Sequence, residues 1–200
     1  MYPRPIEQLI RAFMKLPSVG SRTAERFVFY ILKSGKKDAG EIALALKYLI
    51  EKIKSFEVCF DFSDQSPCHI CCDNKRDHTT ICVVSDPQDV QAIEKTNIYR
   101  GLYHVLRGTI RSLDEESIHG LKLPELIDRV KKNDPTEIIL ALNSTLDGEN
   151  TMMLLEKRLH DLPKPPLVSR LARGLPMGSD VQYADEITLG SALKHRQRTL

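Results

Sequence analysis

Cys59-Phe60-Asp61-Phe62-Ser63-Asp64-Gln65-Ser66-Pro67-Cys68-His69-Ile70-Cys71-Cys72 holds four of the five cysteines in the chain, and the apolar run Ile81-Cys82-Val83-Val84 follows it. One cysteine, eight residues and then Cys-x-x-Cys is the spacing of a zinc knuckle. The apolar run has the length of a short buried strand. A metal clip between a helical segment and the first strand of an α/β unit makes this a modular, mixed α/β chain.

Upstream of the clip, apolar residues repeat at i, i+3, i+4 and i+7. Ile6, Leu9, Ile10 and Phe13 form one set, and Ala24, Phe27, Val28 and Ile31 a second. Ile42, Ala45, Leu46, Leu49 and Ile53 form a third. Three amphipathic helices are expected in residues 1–54, each burying one stripe in a small bundle. Leu16-Pro17-Ser18-Val19-Gly20 marks the first break and Gly35 the second.

Downstream, strands and helices alternate, which predicts a mostly parallel sheet. Strands are expected at Ile81–Val84, Tyr103–Leu106, Ile138–Leu142 and Val168–Ala172. Helices are expected after Asp86-Pro87, around Leu126, Ile127 and Val130, and over Glu149–Leu159. Asp86 is placed to cap the first of these, with Pro87 at the first helical position. The expected modules are 1–54 (helical hairpin), 55–80 (cysteine knuckle), 81–173 (α/β domain) and 174–200 (C-terminal segment).

The chain has 200 residues, of which 42% are apolar and 28% charged, with a net charge of +2. No apolar stretch approaches the roughly 20 residues of a membrane helix. Met1-Tyr2-Pro3-Arg4-Pro5 lacks a secretory core, so the expected location is the cytoplasm. There thiols stay reduced, and clustered cysteines read as a metal site. Residues 1–58 carry 11 basic and 6 acidic side chains, a net +5, against 18 and 21, a net −3, in residues 59–200. A basic first module suits a polyanion.

Within that module, Gly20 and Ser21 open the second helix. Gly20 permits a positive φ and close backbone approach, and Ser21 can cap the helix. The free amides of a helix start attract an anion. Arg22 and Arg26 are four residues apart and share a face, with Lys15 on the preceding helix. Contacts of this kind grip phosphates without reading bases, so DNA binding here is expected to be salt-dependent and sequence-independent.

Structural zinc takes four ligands. Cys59, Cys68 and Cys71 supply three. The position that would complete the first Cys pair is Phe56. Cys72, His69 and His78 are the candidates for the fourth ligand, with Cys72 adjoining Cys71. Cys82, in an apolar strand, reads as a small buried hydrophobe.

Asn143-Ser144-Thr145-Leu146-Asp147-Gly148-Glu149 follows a buried strand and resembles the second motif of Toprim domains. In those domains an Asp-x-Asp pair here and a Glu at the end of the first strand hold Mg²⁺. This chain has Asn143, Thr145 and Ser85 at those three places. A divalent ion needs carboxylates to offset its dehydration, so a catalytic Mg²⁺ site is not expected. Asp86, Asp147 and Glu149 remain nearby. They read as an acidic docking face, or as helix caps and first-turn dipole partners. A rival enzymatic reading would use the same three acids around a metal in a nuclease.

Taken in order, the parts are a helical hairpin, a cysteine knuckle and a degenerate Toprim motif. Arg76-Asp77, Tyr99-Arg100-Gly101-Leu102-Tyr103-His104-Val105-Leu106, Gly174-Leu175-Pro176-Met177-Gly178-Ser179-Asp180-Val181-Gln182-Tyr183-Ala184-Asp185 and Thr188-Leu189 accompany them. This combination resembles the bacterial RecR family of recombination mediators across almost the whole chain.

The resemblance implies a non-catalytic protein of recombinational repair. It would act with RecO and RecF at gapped duplexes and single-/double-strand junctions, helping RecA replace single-strand-binding protein. It also implies homodimers and a homotetrameric ring whose hairpins line the hole. Arg22 and Arg26 match the family's basic hairpin positions, and residues 174–200 match the segment that packs between subunits. Zn²⁺ is the implied cofactor, and Asp147 and Glu149 would lie on a surface that docks RecO. Three departures stand out. Phe56 replaces a cysteine, Ser85 replaces a glutamate, and the stretch 108–120, with Arg111 and Asp114-Glu115-Glu116, lacks glycine- and proline-rich character.

Overall fold

The computed structural model describes residues 2–65, 67–111 and 118–196. The core of the divergent 108–120 stretch, including Asp114-Glu115-Glu116, lies outside the described residues. The chain forms two compact units, Met1–Lys54 and Ser55–Leu200.

The first unit contains α1 (Arg4–Phe13), α2 (Ser21–Ser34) and α3 (Lys36–Lys52). Pro5 lies in the first turn of α1, where a missing N–H costs nothing. Ile10, Ala24 and Val28 are buried, with Ile6, Phe13 and Val19 packed against them. Phe13 meets Phe27 edge-on, with ring centroids 5.8 Å apart.

The third helix departs from expectation. It forms, but none of its residues is buried, and Ile42, Leu46 and Leu49 of its apolar stripe are exposed. The cause is the link. Gly35 alone, at φ +96°, joins α2 to α3. Antiparallel helix pairs are joined by loops of about two to five residues, so this one-residue link is too short to let α3 fold back along α2 as a hairpin partner.

After α3 comes a short two-stranded ladder, β1 (Lys54–Ser55) with β2 (Phe62–Ser63). A four-stranded sheet follows. It comprises β3 (Asp77–Val84), β4 (Gly101–Val105), β5 (Glu137–Leu140) and β6 (Leu167–Arg170), in the order β4-β3-β5-β6. All three pairings are parallel. The helices are α4 (Pro87–Glu94), α5 (Leu123–Asn133), α6 (Leu146–His160) and α7 (Glu186–Lys194).

Period-2 alternation along β3 divides the core. Ile81 and Val83 point into one apolar cluster with Leu126 and Val130 of α5 and Leu155 and Leu159 of α6. Cys82 and Val84 point into the other, with Val90 of α4 and with Phe56, Cys59, Cys68 and Ile70. Cys82 is therefore the buried hydrophobe expected, its thiol pushed up to about 12 by burial. The knuckle segment is the cover over this second face of the sheet.

Asp86 precedes α4, and its N–H donates to the Asp89 carboxylate (3.0 Å), one arm of a capping box. At the other end of α4, Arg76 donates to Glu94 (Nη1–Oε1 3.0 Å) and to the Gly101 carbonyl (3.0 Å). Tyr103 Oη completes the network on Glu94 (2.6 Å). Among the described residues, no helix is long and apolar enough to cross a membrane.

Candidate functional site

The sulfurs of Cys59, Cys68 and Cys71 lie within 4.8 Å of one another. Cys59 Sγ and Cys68 Sγ are 3.5 Å apart. Zinc bound tetrahedrally at about 2.3 Å would set its sulfurs roughly 3.8 Å apart, so the donor set fits such an ion with little movement. Cys68 sits where the neighbouring groups donate to it. Hydrogen bonds from Cys59 and then Cys71, with the Cys71 amide at 3.4 Å, pull its thiol far down. The hydrogen bond between the two sulfurs pushes Cys59 up.

The structure brings none of the three suggested fourth ligands to this group. Cys72 is exposed and its thiol donates to the His69 carbonyl (3.6 Å). Its sequence neighbour Cys71 turns inward, and adjacent side chains in a tight turn diverge. His69 and His78 are exposed as well, and His78 Nε2 lies 3.2 Å from the Asp73 carbonyl. Phe56 is buried in the same apolar cluster as Cys59 and Cys68.

Sequence reasoning missed what holds the knuckle in place. The Val105 N–H on β4 donates to the Cys59 carbonyl (2.8 Å), so the knuckle pairs the outer edge of the sheet. Arg129 of α5 donates to the Tyr103 carbonyl (2.6 Å) and lies 3.5 Å from that of Val58. His104 Nε2 donates to the Lys122 carbonyl (2.8 Å), and its ring meets Phe60 edge-on at 5.4 Å. Burial holds His104 down at about 4, so it is neutral. Arg129 sits within an ordinary amphipathic helix pattern, between Leu126 and Val130, and nothing in its local sequence marks it as buried.

In the hairpin, Leu16 and Val19 close the turn by donating to Phe13 (3.0 Å) and Leu16 (3.2 Å) carbonyls. The left-handed residue is Ser18, at φ +61°, rather than Gly20, which is extended at φ −84°. Gly20 is also the N-cap, and Ser21 is already helical and makes no capping bond. Its hydroxyl is one position too late to reach back to the amides of the first turn. A Cβ at Gly20 would meet nothing within 4 Å, so that surface is open. The amides of Ser21, Arg22 and Thr23 precede the first intrahelical bond, Ala24 N–H to Gly20 carbonyl (2.9 Å). Lys15, Gly20, Ser21, Arg22 and Arg26 are all exposed.

At the carboxyl ends of the strands, Ser85 is buried and its Oγ has no hydrogen-bond partner. Asn143 and Thr145 are exposed, and Thr145 Oγ1 caps α6 by accepting from Gly148 N–H (3.1 Å). Glu149 is committed within the chain. It pairs with Arg170 (3.2 Å) and Arg173, and Arg170 also grips Glu156 at 2.5 and 2.7 Å. Asp147 is half-buried at the first turn of α6. Among the described residues, the cysteine trio is the one group of three or more side chains poised to hold a metal.

Three family models match the chain. A Toprim domain covers residues 79–172, a RecR helix-hairpin-helix covers 6–49, and a RecR C-terminal segment covers 174–197. "Recombination protein RecR" of Rubrobacter xylanophilus is 42% identical over 196 residues, covering 98% of both chains. The protein of the same name from Staphylococcus aureus MRSA252 is also 42% identical, over 195 residues and 98% of both chains. The chain belongs to the RecR family. The RecR helix-hairpin-helix match spans all of Lys15, Gly20, Ser21, Arg22 and Arg26. The Toprim match spans the strand ends where Ser85, Asn143 and Thr145 stand. The cysteine trio of this RecR-family chain lies between those two matches.

Proposed function

We propose that this chain is a non-catalytic, DNA-binding scaffold of recombinational repair in the cytoplasm. The observation that carries the reading is the helix-hairpin-helix of a RecR-family chain with Arg22 and Arg26 exposed on α2. No salt bridge engages either arginine among the described residues. Free guanidinium groups beside an open helix start are the chemistry of phosphate-backbone contact. The modules are 1–54 for DNA, 55–80 for the metal, 81–173 as the Toprim platform and 174–200 for self-association.

Gapped duplexes and single-/double-strand junctions are the DNA targets, with RecO and RecF as partners and RecA loading as the outcome. A homodimer, closing to a homotetrameric ring, gathers several weak phosphate-binding hairpins on one duplex, where avidity supplies affinity. The exposed apolar side chains of α3 support self-association, with Leu44, Leu46, Tyr48, Leu49 and Ile50 each more than half exposed. So does the C-terminal segment, where Met177, Tyr183 and Ile187 are exposed. Asp147 is the acid left to meet a basic partner such as RecO, since Glu149 already serves two arginines.

Cys59, Cys68 and Cys71 would hold Zn²⁺, which cross-links the loop ends and supplies no reaction chemistry. With neutral residues at the three Toprim acid positions, no step of phosphoryl transfer is assigned to this chain.

The test is fluorescence anisotropy of a gapped duplex across a salt series, for wild type and Arg22→Ala/Arg26→Ala, with and without RecO. Loss of affinity together with a shallower salt slope in the double variant is the expected result. Identical curves for both proteins, RecO present or absent, would sink the DNA role of the hairpin and leave a protein–protein adaptor. Mg²⁺-dependent nicking of plasmid DNA, abolished by Asp147→Asn, would overturn the non-catalytic assignment.

A further inference from the structure

The chain leaves β3 and β4 toward opposite faces of the sheet. The two strands are hydrogen-bonded neighbours, with Val84 in register with Val105. β3 leads to α4, which packs Val90 on one face. β4 leads to α5, which packs Leu126 and Val130 on the other. Divergence of this kind opens a crevice at the carboxyl ends of the strands, where open α/β sheets hold their ligands. Ser85 follows β3 at that crevice, and Arg107 stands just after β4. The Gly108 N–H donates to the Ser85 carbonyl (3.1 Å), which ties the two loops together.

Both residues carry polar groups left without partners among the described residues. Ser85 is 2% exposed, and its Oγ makes no hydrogen bond. Arg107 Nη2 is likewise buried and unpartnered. The guanidinium carbon lies 3.9 Å from the centre of the Phe62 ring, so the knuckle holds it in place. Arg107 also takes φ +68°, with Gly108 at +144°. A left-handed arginine is a costly way to turn the chain, and such residues gather at binding sites. Asp61 feels the Arg107 charge but makes no ion pair with it, and its Oδ1 accepts from the Phe62 N–H (2.7 Å). A guanidinium only donates and a hydroxyl can donate, so what the pair lacks is an acceptor.

We infer that Ser85 and Arg107 form an anion site in this crevice, which takes a phosphate group carried by a DNA strand or free in solution. Phosphate supplies the acceptor oxygens that both groups lack, and guanidinium–phosphate bonds are of the strong, charge-assisted kind. Asn143 and Thr145, after the neighbouring strand β5, are neutral, and Asp86 belongs to the capping box of α4. The site therefore has the opposite sign to a cation site built from acids at the same strand ends. It lies in the second compact unit, apart from the hairpin, and does not rest on the roles given to Arg22 and Arg26.

The probe is inorganic phosphate, titrated into the reduced full-length chain at constant ionic strength with chloride as reference. The rise in thermal midpoint reports binding by linkage. Arg22→Ala/Arg26→Ala serves as the background, so that the hairpin does not compete. Arg107→Gln, Arg107→Gly, Ser85→Ala and Asp61→Asn are each added to it. Phosphate also stabilises proteins through exclusion from their surface, so the difference between variants is the signal. Arg107→Gln should weaken phosphate binding about tenfold, because a charged hydrogen bond is lost, and Ser85→Ala several-fold. Asp61→Asn keeps an acceptor for the Phe62 N–H, removes an opposing charge and should tighten binding. Arg107→Gly should match the loss in Arg107→Gln without lowering the phosphate-free midpoint, since glycine suits that φ.

A fluorescent oligothymidylate, followed by anisotropy in the same proteins, identifies the source of the phosphate. Binding that inorganic phosphate displaces and that both Arg107 variants weaken assigns the site to a DNA strand. Phosphate binding without oligonucleotide binding assigns it to free phosphate. An equal midpoint rise in the background protein and in Arg107→Gln overturns the inference, whatever the hairpin does. So does a loss in both Arg107 variants that is matched by lower phosphate-free midpoints, which would make Arg107 a prop for the loop.

Discussion

His104 offers a quantitative probe of how the knuckle is seated. It lies on β4 with no exposed surface, its Nε2–H donating to Lys122 and its Nδ1 facing no partner. Protonation would add a charge in a fully buried site beside Arg129, where only backbone carbonyls and the more distant Glu125 favour it. Burial is the largest cause of the fall from 6.5 to about 4, reinforced by Arg129 and opposed by the Lys122 carbonyl, Glu125 and the Val58 carbonyl. The folded value is depressed, so the native state binds fewer protons than the unfolded chain. The stabilisation is complete above about pH 6.5, is lost progressively as pH falls toward 4, and is flat below. At about 1.4 kcal/mol per pH unit of that interval, the loss is on the order of 3 kcal/mol.

His104→Gln keeps a donor for the Lys122 carbonyl and removes the titration. Urea unfolding of both proteins at pH 7, 5.5 and 4.5, with chelator and reductant present, isolates the effect from metal loss. The gap between wild type and His104→Gln should shift by about 2–3 kcal/mol toward the variant between pH 7 and pH 4.5. A gap that does not move with pH would mean that His104 is hydrated or repartnered, and that the seat of the knuckle is looser than described.

Two other positions separate folding from binding. A Cβ at Gly148 would lie 1.9 Å from the Asn143 carbonyl oxygen and 3.1 Å from its carbon. Backbone cannot yield as a side-chain tip does, so Gly148→Ala should cost about 3 kcal/mol or more, seen as a lower thermal midpoint. A midpoint near wild type would show that the turn before α6 can open. At Gly20 nothing lies within 4 Å and φ is ordinary. Gly20→Ala should leave thermal stability within about 0.5 kcal/mol while weakening binding to a gapped duplex several-fold, because a methyl group holds a phosphate off the amides. Unaltered DNA binding would place the phosphate contact elsewhere on the hairpin.

The alternation of apolar runs and amphipathic patterns made the parallel sheet legible, because buried strands such as Ile81–Val84 and Ile138–Leu140 cannot hide their composition. The cysteine trio was legible for a similar reason, since x2 spacing puts both thiols of a turn on one side. What the sequence left open was set by contacts distant in the chain. Cys72 and His78 have the right chemistry, but Cys72 turns outward to the His69 carbonyl and His78 stands exposed on β3 beside the Asp73 carbonyl. Gly20 and Ser18 illustrate the same limit on a smaller scale. The turn needed one left-handed residue, and a serine took that place while the glycine stayed extended. Residue type states what a position permits, and closure of the turn decides what it does.

Charge was the least legible property, although it was the easiest to count. Glu149 was available to a partner on sequence grounds, yet β6 ends at Arg170, and the strand order sets that residue beside the first turns of α6. Arg129 was one more basic residue on a polar helix, yet α5 packs against the sheet so that its guanidinium is buried beside the knuckle. The two cases run in opposite directions and have one cause. A parallel sheet brings together residues that crossover helices separate in sequence, and ionic partners are chosen there. A loop with three cysteines and a phenylalanine looks like a damaged four-cysteine site when read alone. The arginine that anchors it to the fold, reaching toward the Val58 carbonyl from α5, is visible only once the sheet has formed.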